Sequence, residues 1–193
     1  MANIDGSCIW QKSNRPMAEP GRADRRWLGL SAGASNWLWL TLVVLVVDQL
    51  TKRLILERFE PYAEMYAFPF LDIVRWHNEG AAWSILSNAS GWQRWFFMVL
   101  GLGVSIGILV WLRQLPARGQ GRVAAGLALV MAGALGNVID RAYLGYVVDF
   151  IKVHYAGWVF PAFNVADSAI TIGAGLLILD AIIDYGRKSD HGE

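Results

Sequence analysis

Asp149 in "YVVDF" and Asp167 in "FNVADSAI" stand 18 residues apart in a chain where only 17% of residues are charged. Two carboxylates held close together cannot both ionise cheaply, so one of them keeps a proton. The ionised partner takes a proton from water. The protonated one polarises a peptide carbonyl and later assists the departing amine. That is aspartic-protease chemistry, and it needs neither a metal nor a nucleophilic side chain. Taken alone, Asp167 reads equally as a water-facing cap, since a helix N-terminus favours an anion. Spacing by itself does not bring the two carboxylates together.

Other polar residues recur at helical intervals inside apolar surroundings. Asp48, Thr51 and Lys52 fall at i, i+3 and i+4, and so do Asn137, Asp140 and Arg141. Asn164, Asp167, Ser168 and Thr171 add i+7. Each set makes a stripe on one helix face. Structural readings exist for each: an i,i+4 pair for Asp48 and Lys52, an interfacial ion pair for Asp140 and Arg141, and a close helix contact for Asn137 beside Gly133 and Gly136. The glycines of "GLGVSIG" (101–107) lie in an apolar run with no strand before them, so they read as helix packing and not as a nucleotide loop. "NAS" (88–90) matches a glycosylation triplet, a weak signal. His77, His154 and His191 are far apart without an HExxH spacing, and Cys8 is the only cysteine. No metal site, cofactor or internal disulfide is expected. GxSG and GxGD motifs are also absent.

The elements that must position these residues are apolar blocks. Hydrophobic residues make up 55% of the 193 and cluster in long runs, which indicates a membrane protein; a net charge of +1 gives no argument for nucleic acid. The runs cover 27–47, 95–112, 123–139 and 168–179, the last reaching Ile183 if Asp180 is tolerated. A spanning helix needs about 17–25 residues, so the fourth must start near Asn164. The expectation is an all-α integral membrane protein: four transmembrane helices with a small β-sheet and a short helix or loop at the outer face. The first run is too long for a cleavable signal and is followed by "DQLTKR". Trp37, Trp39, Trp92, Trp95 and Trp111 sit near block ends, as in aromatic belts. Residues 1–26 read as a mobile polar tail, 27–186 as the membrane domain and 187–193 as a polar C-terminal tail. Lys/Arg bias puts both termini in the cytoplasm and loops 57–91 and 142–162 outside. Within the first loop, "FLDIVRWHN" (70–78) has strand composition. Ser90 and Gln93 have capping-box spacing ahead of the second block. All three stripes then lie near the outer ends of their helices. A proton-coupled channel would spread its acids across membrane depth, whereas Asp48, Asp140 and Asp167 cluster toward one face.

The motifs "DQLTK" (48–52), "HNEGAAWS" (77–84), "AGALGNVIDR" (132–141), "VVDF" (147–150) and "FPAFNVADSAI" (160–170) together resemble those of lipoprotein signal peptidases, the signal peptidase II family, over roughly residues 37–184. The resemblance implies an aspartyl endopeptidase of the bacterial inner membrane. It would cut signal peptides from prolipoproteins before a diacylglyceryl-modified cysteine. By motif, Asp149 and Asp167 are its catalytic pair. Asn78, Gly80, Asn137, Arg141 and Asn164 are the substrate-binding positions, and Asp48, Lys52, Asp140 and Ser168 are supporting ones. The expected partners are lipid-modified prolipoproteins and membrane lipids, the expected form a monomer, and the expected site near the periplasmic face. His77 and Trp83 stand where the family often has Tyr and Phe, which keeps a ring at each position.

Overall fold

A computed structural model describes residues 36–80, 91–116 and 119–190. The tail 1–26, Cys8, His191, Trp83 and the NAS triplet lie outside the described residues. The Leu/Val-rich first block enters a helix at α1, Leu38–Arg58. A hairpin follows, β1 (Glu64–Phe68) and β2 (Leu71–Asn78). Helix α2 (Trp92–Gln114) and helix α3 (Gly121–Tyr143) come next. Then come β3 (Val147–Tyr155), β4 (Trp158–Val159) and α4 (Val165–Asp190).

Helix α3 is central and packs against α1, α2 and α4. Of its most apolar stretch 56% is buried, against 17% for α2 and for α4. The outer helices therefore turn most of their Leu, Val and Ile side chains away from the protein, as lipid-facing helices do. Close approach depends on glycine. A Cβ on Gly126 would stand 2.9 Å from the Gly173 carbonyl oxygen, and one on Gly136 2.6 Å from Asp48 Oδ2. In "GLGVSIG" only Gly101 serves packing, against Val138; Gly103 and Gly107 face open space. At the end away from the sheet, Ile108, Leu112, Leu115, Ala124, Leu127 and Met131 form the apolar core.

The sheet covers the other end. It is antiparallel in the order β1-β2-β3-β4, and its second strand lies where strand composition is read. Asp149 sits opposite Trp76, and Asn78 opposite Val147. Arg75 Nη1 donates to the carbonyls of Leu56 (3.3 Å) and Phe59 (2.6 Å), fastening β2 to the C-terminal end of α1. Ile55, Val148 and Phe150 are buried beneath the sheet. A bridge between Ile151 and Phe163 leads the chain into α4.

Several expectations need correction. The expected small sheet is present, but segment 142–162 is part of it and not a loop, because Val147–Tyr155 pairs with β2 along most of its length. Among the described helices α2, α3 and α4 are long and apolar enough to cross a membrane, and residues 27–35 of the first block, on which the fourth expected span draws, lie outside the described residues. Helix α1 is continuous, but its apolar run gives way to Asp48, Lys52 and Arg53, and Asp48 lies at the middle of the described helix, not near its end. Helix α2 is capped by Gly91 at φ +85°, a backbone that suits glycine. Gln93 is then one position too early for a capping box with Ser90, which lies outside the described residues.

Candidate active site

Asn164, fully buried just ahead of α4, holds the two carboxylates together. Its Oδ1 accepts the backbone N–H of Asp167 at 2.9 Å, while Asp167 Oδ2 accepts the backbone N–H of Asn164 at 3.3 Å. This reciprocal arrangement is a capping box, and it starts the helix where the sequence needs it to start. The same side chain turns its Nδ2 to Asp149 Oδ1 at 2.8 Å and to the Val148 carbonyl at 3.2 Å. Asp167 is thus both a cap and a neighbour of Asp149; the two readings of it do not exclude each other.

Asp149 is 4% exposed on β3. Its Oδ2 accepts Asn78 Nδ2 at 3.0 Å. The orientation of Asn78 is fixed because its Oδ1 takes the N–H of Gly80 at 3.0 Å. Burial pushes the Asp149 carboxyl up to about 7, and the nearby charge of Asp167 pushes the same way, against the lowering effect of the Asn78 and Asn164 donors. Asn137 supplies the other donor, its Nδ2 reaching Asp167 Oδ1 at 2.8 Å.

Around this pair lies a second layer of buried charge. Lys52 Nζ stands 2.9 Å from Asp48 Oδ2, 3.0 Å from Asp140 Oδ2 and 3.1 Å from Asn137 Oδ1. Asp48 Oδ1 accepts the N–H of Ala166 at 2.8 Å, and Asp140 Oδ2 accepts the N–H of Val148 at 3.1 Å. Those contacts tie α1 and α3 to the segments that carry Asp167 and Asp149. The i,i+4 pairing of Asp48 and Lys52 is present, but the partner of Asp140 is Lys52 and not Arg141. Arg141 instead donates from Nη2 to the Gly80 carbonyl at 2.8 Å and lies over the Phe97 ring at 4.9 Å. Ser168 Oγ bonds back to the Asn164 carbonyl at 2.9 Å, a contact within its own helix start. Thr51 and Thr171 likewise bond to their own helices.

Two contributors escape the sequence reading. Gln49 Nε2 reaches Asp140 Oδ1 (3.0 Å), Asp48 Oδ2 (3.2 Å) and the Gly136 carbonyl (3.3 Å). It sits one residue off the stripe, just past the apolar run, and its place in "DQLTK" was the signal that could have found it. The His77 ring stacks on Tyr146 with centroids 3.9 Å apart, bracing β2 beside Asn78. Burial, and then the charge of Arg75, hold the His77 imidazole below its ordinary range.

A cavity of about 310 Å³ opens on this cluster. Asn78, Gly80, Asn137, Arg141 and Asp167 line its polar side; Phe97, Leu100, Val104, Val130 and Ile170 line its apolar side. Among the described residues no group of three or more His, Cys, Asp or Glu side chains is arranged to hold a metal ion. The arrangement offers two neighbouring carboxyls, one half-buried and one buried, beside a slot that is half polar and half apolar.

The family described as signal peptidase (SPase) II matches residues 40–183. A lipoprotein signal peptidase of Pseudomonas aeruginosa is 47% identical over 152 residues, covering 77% of this chain and 88% of the relative. One of Shewanella pealeana is 46% identical over 157 residues, with coverages of 80% and 92%. A solved structure of a bacterial membrane enzyme, obtained by the in meso method at 2.3 Å resolution, superposes with a TM-score of 0.72 at 35% identity, covering 80% of this chain and 92% of that one. With three quarters of its length matched to one family and a similar fold in a solved membrane enzyme, the chain belongs to the signal peptidase II family of aspartic-type peptidases.

Proposed function

We propose that this chain removes signal peptides from diacylglyceryl-modified prolipoproteins, cutting before the lipidated cysteine, with Asp149 and Asp167 as the catalytic pair. The observation that carries the reading is their common hold on one buried amide, Asn164, beside a cavity. The pair shares one proton. Its ionised carboxylate takes a proton from a water molecule as the water oxygen bonds to the scissile carbonyl carbon. The protonated carboxyl gives its proton to the carbonyl oxygen. The resulting diol collapses: the C–N bond breaks, the nitrogen leaves with the proton held by one carboxyl, and the other carboxylate takes the proton of a diol hydroxyl as the carbonyl re-forms in a carboxyl. The pair returns to one proton.

Side-chain commitments refine the other roles. The NH2 groups of Asn78, Asn137 and Asn164 are spent on the two carboxylates, so these three act on the pair. Arg141 and Gly80 border the cavity, and Arg141 Nε has no partner among the described residues; these two meet the substrate backbone. The apolar lining from Leu100 to Ile170 suits a signal helix and its lipid. The relatives' name, lipoprotein signal peptidase, supports that substrate class.

The same reading has four spans, with α1 shielding its charges against α3, cytoplasmic termini and the sheet at the periplasmic face of the inner membrane, in a monomer. Exposed aromatic residues rim the sheet, among them Tyr66, Phe68, Phe70, Tyr155 and Trp158. Rings of this kind favour the bilayer–water boundary. The test is to reconstitute the chain in liposomes with a precursor that carries diacylglycerol on its cysteine, and with the same precursor lacking it. Mass spectrometry should find a product that begins at the lipidated cysteine, and far less cleavage without the lipid. Cleavage elsewhere, or equal cleavage of both precursors, would overturn the proposal.

A further inference from the structure

Three asparagine amides face the two carboxylates, and each is held in orientation by a donor on its own oxygen. For Asn78 that donor is the N–H of Gly80, and for Asn164 the N–H of Asp167. For Asn137 it is the ammonium of Lys52, at 3.1 Å, with Asn164 Nδ2 at a long 3.5 Å. An amide whose oxygen has no donor can rotate and present that oxygen to a neighbour. Here the neighbour is Asp167 Oδ1, 2.8 Å from Asn137 Nδ2. Rotation would replace a donor with an acceptor against a carboxylate.

We propose that Lys52 is a positioning residue for peptide cleavage: gripped by Asp48 and Asp140, it locks the Asn137 amide so that its NH2 group faces Asp167. The side chain of Lys52 is 3% exposed, and its three contacts, to Asp48, Asp140 and Asn137, lie at 2.9–3.1 Å. Gln49 Nε2 also donates to both carboxylates. The ammonium is therefore aimed, not merely neutralised. Its charge is also felt at Asp149. Arg141, the other buried cation of the cluster, donates to the backbone carbonyls of Gly80 and Asn137, not to the side-chain amide of Asn137. The inference rests on the assignment of Asp149 and Asp167 as the reacting pair.

A mutant cycle between Lys52→Met and Asn137→Ala tests it, with cleavage of a lipid-modified precursor measured per folded enzyme in liposomes. Lys52→Met should lower kcat about 10- to 100-fold, the worth of one hydrogen bond to a charged group, with KM nearly unchanged. Added to Asn137→Ala it should cost little more, because the lock has nothing left to hold. The alkaline limb of the pH profile should move to higher pH, and Lys52→Arg should recover part of the rate. A merely structural lysine would lower the amount of folded enzyme and leave the pH limb where it was. If Lys52→Met does not fold, Lys52→Met with Asp140→Asn carries the same cycle, since Asp48 then keeps its donors Gln49 and Ala166. Independent, multiplicative losses, or a normal kcat in Lys52→Met, would overturn the proposal. Full cleavage by Asp149→Asn or Asp167→Asn would instead remove the assignment on which it rests.

Discussion

A carboxyl that holds its proton near neutrality has consequences for both stability and rate. Asp149 is raised from 3.8 to about 7 in the folded protein, chiefly by burial. The folded state keeps a proton that the unfolded chain releases. The stability tied to that proton is whole below about pH 4 and is lost as pH rises through about 7. Wild-type melting temperature in detergent should therefore fall across that window relative to Asp149→Asn, in which the group does not titrate. Cleavage should decline above about pH 7 as the pair loses its shared proton. Asn164 carries more duties than any other single side chain here: it caps α4 and donates to Asp149 and to the Val148 carbonyl. Asn164→Ala should cost about 2 kcal/mol or more of stability, measured by chemical denaturation in mixed micelles, and should also abolish measurable turnover. The sequence made Asn164, Asp167, Asn137 and Lys52 legible because helical spacing puts them on stripes. It could not say which acid Lys52 meets, since Asp140 lies 88 residues away along the chain.

At the level of elements, α3 and α4 approach through glycine, and the prediction follows from what a methyl group would meet. Gly173→Ala would put a Cβ 2.6 Å from the Gly126 carbonyl oxygen, whereas Gly103→Ala meets nothing within 4 Å. Thermal melts should show Gly173→Ala destabilised by several degrees or failing to assemble, and Gly103→Ala unchanged or slightly more stable. Helices were readable here because long apolar runs admit few alternatives. Strand β2 was readable from its β-branched and aromatic residues. Strand β3 was not, because Val147, Val148, Asp149 and Phe150 are all buried. Covered on both faces, they show none of the alternation that marks a half-exposed strand. In α1 the charges after the apolar run look like the end of a span, yet Asp48 and Lys52 are turned inward against α3, while Arg53 faces outward and pairs with Glu57.

For the whole molecule, the proposed topology sets the α2–α3 link and the β3–β4 turn on opposite sides of the membrane. In a Cys8→Ser background, a single cysteine at Ala156 should react with an impermeant thiol reagent in cells whose outer membrane alone is opened. One at Gln120 should react only after the inner membrane is breached. The reverse pattern would invert the topology. The arrangement also explains why the acids sit together. The sheet closes one end of the bundle, α1 and α3 bring buried charge toward that end, and α4 begins there, so Asp149 and Asp167 come together beside the cavity. The measurement that bears most directly on this account is cleavage of a lipid-modified precursor by Asp149→Asn and Asp167→Asn, each alone, in liposomes, with the folded fraction checked by melting. The account predicts that each variant inserts and folds but yields no product. Cleavage at the wild-type rate by either one would contradict it.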